Sequence, residues 1–154
     1  QVWGFPRRDE TPNLARWAAM HPIPYAMRLT GRVRMVSDGV LRRIETELPD
    51  GARLESELLF AEDGSFREQG TLSFASGNDI RFRTLGTGQL TASPDPQIRH
   101  GTVTWELDGG SGRFDRASGR ITSNFTVAAD GAVEDAHAGL VFLFARPQTE
   151  GERP

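Results

Sequence analysis

GTVTWELDGGSGRFDRASGRITSNFTV, from Gly101 to Val127, reads as two alternating runs joined by a glycine-rich connector. In the first run Val103, Trp105 and Leu107 share one face, and Thr102, Thr104 and Glu106 share the other. In the second, Ile121, Ser123, Phe125 and Val127 oppose Arg120, Thr122, Asn124 and Thr126. Side chains alternate across a strand, so a period of two over this length predicts two half-buried strands. The connector carries Gly109, Gly110, Gly112 and Gly119, which permit positive φ and close backbone approach at a turn on the rim of a sheet.

The same grammar extends outward in both directions. Tyr25, Met27, Leu29, Gly31, Val33 and Met35 form one face of a first strand. Val40, Ile44 and Leu48 are the apolar side of a second, opposed to Arg43, Glu45 and Glu47. Leu54, Ser56, Leu58 and Phe60 follow, then Phe66, Glu68, Gly70, Leu72 and Phe74. The fifth strand holds Ile80, Phe82 and Leu90, with a bend or bulge at Gly86 and Gly88, and an eighth runs from about Val133 to Phe144. Asp-Gly pairs at 38–39, 50–51, 63–64 and 130–131 mark hairpin turns. Eight sequential strands, each with one apolar face, fit a closed barrel or a two-sheet sandwich. Closure removes the exposed edges, so the expected fold is all-β, a single eight-stranded antiparallel up-and-down barrel.

Three regions follow: an N-terminal arm over residues 1–24, a barrel over 25–146 and a polar tail over 147–154. In the arm, Thr11-Pro12 is an N-cap followed by proline at the first helical position, which predicts a short helix over Asn13 to Met20. His21-Pro22 and Ile23-Pro24 would stop it. Trp3, Phe5, Leu14, Trp17 and Met20 call for packing across a barrel mouth or onto a partner subunit.

The 154 residues suit one domain with a real core. A net charge of −3 with interspersed signs does not mark a nucleic-acid binder, and no apolar run reaches membrane-spanning length. Lysine is absent among the 18 basic residues, which excludes Schiff-base chemistry; the absence of cysteine excludes thiol nucleophiles and disulfides. Nothing in residues 1–25 is a signal peptide, and the expected setting is cytoplasmic. No nucleophile elbow, P-loop or dinucleotide fingerprint occurs. His21, His100 and His137 lack ligand spacing, even with Asp135 or Glu106, so neither a metal nor another cofactor is expected.

The candidate chemistry rests on residue type and parity. If the apolar faces point inward, Tyr25, Met27, Leu29, Leu58, Phe74, Phe82, Trp105, Ile121, Ser123 and Phe125 line either a cavity for an apolar molecule or a solid core. The Tyr25 and Ser123 hydroxyls and the Trp105 N–H are groups able to orient a carbonyl or hydroxyl. Asp135 and His137 project from one face two residues apart, a pairing that orients an imidazole for acid or base work, either inside the barrel or in water outside it.

The run Gly110-Ser111-Gly112-Arg113-Phe114, then Ala117-Ser118-Gly119, then a strand, resembles the late hairpin of allene oxide cyclase-like barrels. Plant allene oxide cyclases and bacterial spirotetronate cyclases belong to that superfamily. The resemblance implies a barrel with an apolar cavity and cofactor-independent cyclisation or isomerisation. It places Ile121, Ser123 and Phe125 at cavity positions and implies a homo-oligomer, a dimer or trimer, to which the apolar Leu140–Phe144 run would contribute. Ile121 and Ser123 stand where spirotetronate cyclases carry an arginine and a bulky aromatic, which implies a different substrate. The expected catalytic set is therefore Tyr25, Ser123 and His137. The alternatives are a lipocalin-like carrier, or a structural or interaction barrel.

Overall fold

The computed structural model describes residues 20–47, 51–75 and 77–144. Among these residues there are nine strands: β1 (Met20–Ser37), β2 (Val40–Thr46), β3 (Arg53–Phe60), β4 (Ser65–Ala75), β5 (Asn78–Thr84), β6 (Gly88–Ala92), β7 (Ile98–Gly110), β8 (Ser118–Ala128) and β9 (Ala132–Phe144). All pairings are antiparallel. The order β3-β2-β1-β9-β8-β7-β5-β4, with β3 also paired to β4, closes an eight-stranded barrel. The short β6 is the ninth strand. It pairs with Ser65 and Phe66 of β4 and with Arg99–Thr102 of β7, beyond the end of β5. The expected single fifth strand is thus split where Gly86 adopts a φ of 73°.

Hairpin turns at Gly39, Gly64 and Gly131 take positive φ, as Asp-Gly turns between alternating runs require. Two other glycines let aromatic rings lie flat against the wall. The Phe66 ring fills the space over Gly88 and the Phe125 ring that over Gly101, so a Cβ at either glycine has no room.

The first strand begins at Met20, not Tyr25, and residues 20–24 belong to the barrel wall instead of the arm. The predicted helix otherwise falls on residues outside those described; its last position, Met20, is extended. Pro22 and Pro24 do not stop a helix here but sit in β1 opposite Phe142 and Leu140 of β9. Among the described residues, β2 reaches β1 only from Thr30 onward, so Met20–Leu29 is an edge, where a strand tolerates prolines.

At the barrel end where β1 starts, the β7–β8 connection folds against the β4–β5 hairpin. The Gly-Ser-Gly-Arg-Phe run forms a 3-10 turn, Gly112–Phe114, tied to the β4–β5 hairpin. Ser111 Oγ donates to the Gly77 carbonyl, and the Arg113 N–H donates to Asn78 Oδ1. This turn tucks the buried Phe114 ring 5.2 Å from Phe74. The core is one continuous cluster, from Phe66, Leu90 and Phe125 towards one end to Leu72, Ile80 and Phe114 towards the other.

Candidate functional site

On β2 the expected inward face is reversed. Arg43 and Glu45 have no exposed surface, whereas Val40 and Ile44 are half-buried. Leu48 lies outside the described residues. Register explains the reversal. Glu45 pairs with Gly31 on β1, and a Cβ on Gly31 would collide with the Ile44 carbonyl and the Glu45 side chain. The glycine opens the interior face just where a long charged side chain enters.

Arg43 is the hub of a buried polar network. Its Nε lies 3.2 Å from Glu45 Oε1 on its own strand and 3.2 Å from Glu68 Oε2 on β4. Its Nη2 lies 3.2 Å from Asp135 Oδ2 on β9 and donates to Ser123 Oγ on β8 at 3.4 Å. The guanidinium also stands over the rings of Phe125, at 4.3 Å, and Trp105, at 5.6 Å. Burial works against the charge on Arg43, but Glu68, Glu45 and Asp135 outweigh it and hold the guanidinium above its ordinary pKa. Glu68 accepts from Trp105 Nε1 at 2.9 Å and from Ser56 Oγ at 2.5 Å. The Trp105 N–H, expected to be free for a ligand, is therefore engaged within the core.

From this hub a chain of hydrogen bonds leads to the barrel end. Ser123 Oγ donates to Asp135 Oδ1 at 2.8 Å, and His137 Nε2 lies 2.8 Å from Asp135 Oδ2. Tyr25 Oη lies 3.0 Å from His137 Nδ1. A carboxylate only accepts, so Nε2 carries the imidazole proton, and Nδ1 then accepts from the tyrosine hydroxyl. Burial disfavours the charge on Asp135, but Arg43 and His137 prevail and keep it below the usual carboxylate range. Tyr25 is pushed well above the ordinary phenol range, first by burial and then by Asp135, Glu47 and Glu45, so it stays protonated.

The three residues expected to be catalytic are thus brought together: Tyr25, His137 and Ser123 all connect through Asp135. His137 lies inside the barrel with its ring 4.9 Å from Trp105. Only Tyr25 among them is more than marginally exposed; Ser123 is sealed. Of the expected substrate-binding residues, Met27 and Phe74 are half-buried towards the Tyr25 end, with the Phe74 ring 6.3 Å from Tyr25. Leu29, Leu58, Phe82, Trp105, Ile121 and Phe125 are core, and Phe82 stacks on Trp105 at 4.0 Å. Arg43, Glu45 and Glu68 were not expected in the site.

His21 and His100 are exposed and apart from His137. Glu45, Asp135 and His137 bring donor atoms within 4.8 Å of one another, close enough to suit a metal ion. Arg43 already stands 3.2 Å from both carboxyl groups, however, and a second cation would meet it there. The set fits a guanidinium better than a metal.

Comparison with protein-family models, curated proteins and solved structures finds no match for the chain.

Proposed function

We propose that the protein binds a small, apolar, uncharged organic molecule at the Tyr25 end of the barrel and promotes its cofactor-independent isomerisation or cyclisation. The observation that carries this reading is the chain Tyr25–His137–Asp135. It joins the hydroxyl of the half-buried Tyr25 to a sealed imidazole and a charged carboxylate. A proton leaving a substrate carbon passes to Tyr25 Oη while the hydroxyl proton moves to His137 Nδ1. Asp135 stabilises the imidazolium, and reversal of both transfers at a second substrate atom completes an isomerisation. Because Tyr25 is held protonated, it relays a proton in one concerted movement instead of acting as a tyrosinate. Asp135 and Glu47 set negative charge near its hydroxyl, which disfavours anionic ligands. The resemblance to allene oxide cyclase-like barrels is consistent with this chemistry and remains part of the proposal.

A second reading, a structural barrel whose buried network only specifies the fold, is favoured by the packing of Trp105 against Phe82, His137 and Arg43 at mid-barrel. Native mass spectrometry of protein purified from its own host separates the two. The proposal expects a stoichiometric apolar ligand. It also expects Tyr25→Phe, which keeps the ring packing, to hold the unconverted isomer with turnover lower by about 10²-fold or more. Absence of any ligand, together with failure to bind apolar dyes, would support the structural reading.

A further inference from the structure

Glu45 is a buried titratable group that the relay does not use. Its side chain has no exposed surface, and neither carboxyl oxygen receives a hydrogen bond. As a buried carboxylate it would have only the ion pair with Arg43 Nε, 3.2 Å away, to offset its charge, a costly arrangement. Three carboxyl groups, those of Glu45, Glu68 and Asp135, crowd one guanidinium. Glu68 accepts from Trp105 and Ser56, and Asp135 accepts from Ser123 and His137, so both have the donors that an ionised carboxylate needs. Glu45 is the one without them, and it lies within reach of Asp135.

We propose that Glu45 is a neutral acid in the resting protein, donating its carboxyl proton to Asp135 and acting as a positioning residue for the His137 relay. This rests on the reading of Tyr25–His137–Asp135 as the reactive chain, but the proton itself does not. The proton satisfies one Glu45 oxygen and removes one negative charge from the core. It leaves Asp135 as the single charged partner of His137. Burial first, and then Asp135 and Glu68, push the Glu45 carboxyl up to about 9 against the opposing pull of Arg43. The groups facing it are therefore Arg43 on its own strand, Glu68 on β4, Asp135 and His137 on β9, and Tyr25 on β1.

Infrared spectroscopy of the intact protein tests this without any substrate. At about pH 7 the proposal expects the carbonyl-stretch band of a buried protonated carboxylic acid, absent from Glu45→Gln and lost from the wild type as the pH is raised through about 9. The His137 Nε2–H proton resonance should move downfield over the same interval, as Asp135 loses the proton donated by Glu45; a purely structural carboxyl would leave it in place. If Glu45→Gln does not fold, the wild-type pH series alone decides. Absence of the acid band at about pH 7 would overturn the proposal. Its presence in a protein that binds no ligand would preserve it while removing the relay reading.

Discussion

Arg43→Leu is expected to unfold the protein at neutral pH. The substitution keeps a side chain able to pack between Phe125 and Trp105 but removes the cation that, among the described residues, faces Glu45, Glu68 and Asp135. Breaking a buried ion pair from one side costs about 3–5 kcal/mol because the surviving charge stays buried without a partner. Here two carboxylates, Glu68 and Asp135, lose the same partner, and the neutral Glu45 loses its contact, against a total stability of about 5–15 kcal/mol for an ordinary domain. Two recoveries identify the cause. Acidification should restore folding by protonating the stranded carboxyls. The triple variant Arg43→Leu, Glu45→Gln, Glu68→Gln should fold at neutral pH, with the new amide at position 68 still accepting from Trp105. Circular dichroism during urea titration reads all three. A single variant as stable as wild type at every pH would show that Arg43 does not hold the core together.

The second large effect is in the pH dependence of the wild type. Glu45 has a folded pKa of about 9 against an ordinary value of 4.5, so the folded state holds a proton that the unfolded chain releases between those values. Stability is then fully present below about pH 4.5 as far as this group is concerned, and falls as pH rises until Glu45 ionises in the folded state near 9. Asp135 acts in the opposite sense. Its lowered pKa contributes stability above the ordinary aspartate value, and that contribution is lost as the pH falls further. Together they place the optimum in mildly acidic solution. Glu45→Gln, with an amide able to donate to Asp135, should remove the slope between about pH 5 and 9 and exceed the wild type in stability at its alkaline end. Thermal unfolding of both proteins across that range measures it; parallel curves would contradict the assignment of the slope to Glu45.

The strands of the barrel were legible because alternation and Asp-Gly turns are local signals, and closure follows from eight strands that each need one face covered. Two features were not local. Pro22 and Pro24 read as helix breakers, yet they are compatible with a stretch of β1 that, among the described residues, β2 does not reach. On β2, Val40 and Ile44 named one face by hydropathy, while the register with Gly31 selected the other. A charge argument was available. Glu68 sat on the apolar parity of its strand, and Asp135 shared a face with His137. Buried carboxylates require a cation on an inward face, and Arg43 supplies it. The glycine at position 31, in the middle of an otherwise bulky strand face, marked where that pair of charged side chains had space. Tyr25, Ser123 and His137 were legible by parity alone. Their connection through Asp135 depends on the β8–β9 register, which sets Ser123 beside His137 and Phe125 beside Asp135.

The most direct measurement is nitrogen-15 NMR of the His137 ring in the folded protein near neutral pH. The expected spectrum shows a protonated Nε2 donating to Asp135 and an unprotonated Nδ1 with a through-hydrogen-bond coupling to a slowly exchanging Tyr25 hydroxyl. A proton on Nδ1, with a Tyr25 hydroxyl that exchanges freely with solvent, would contradict it.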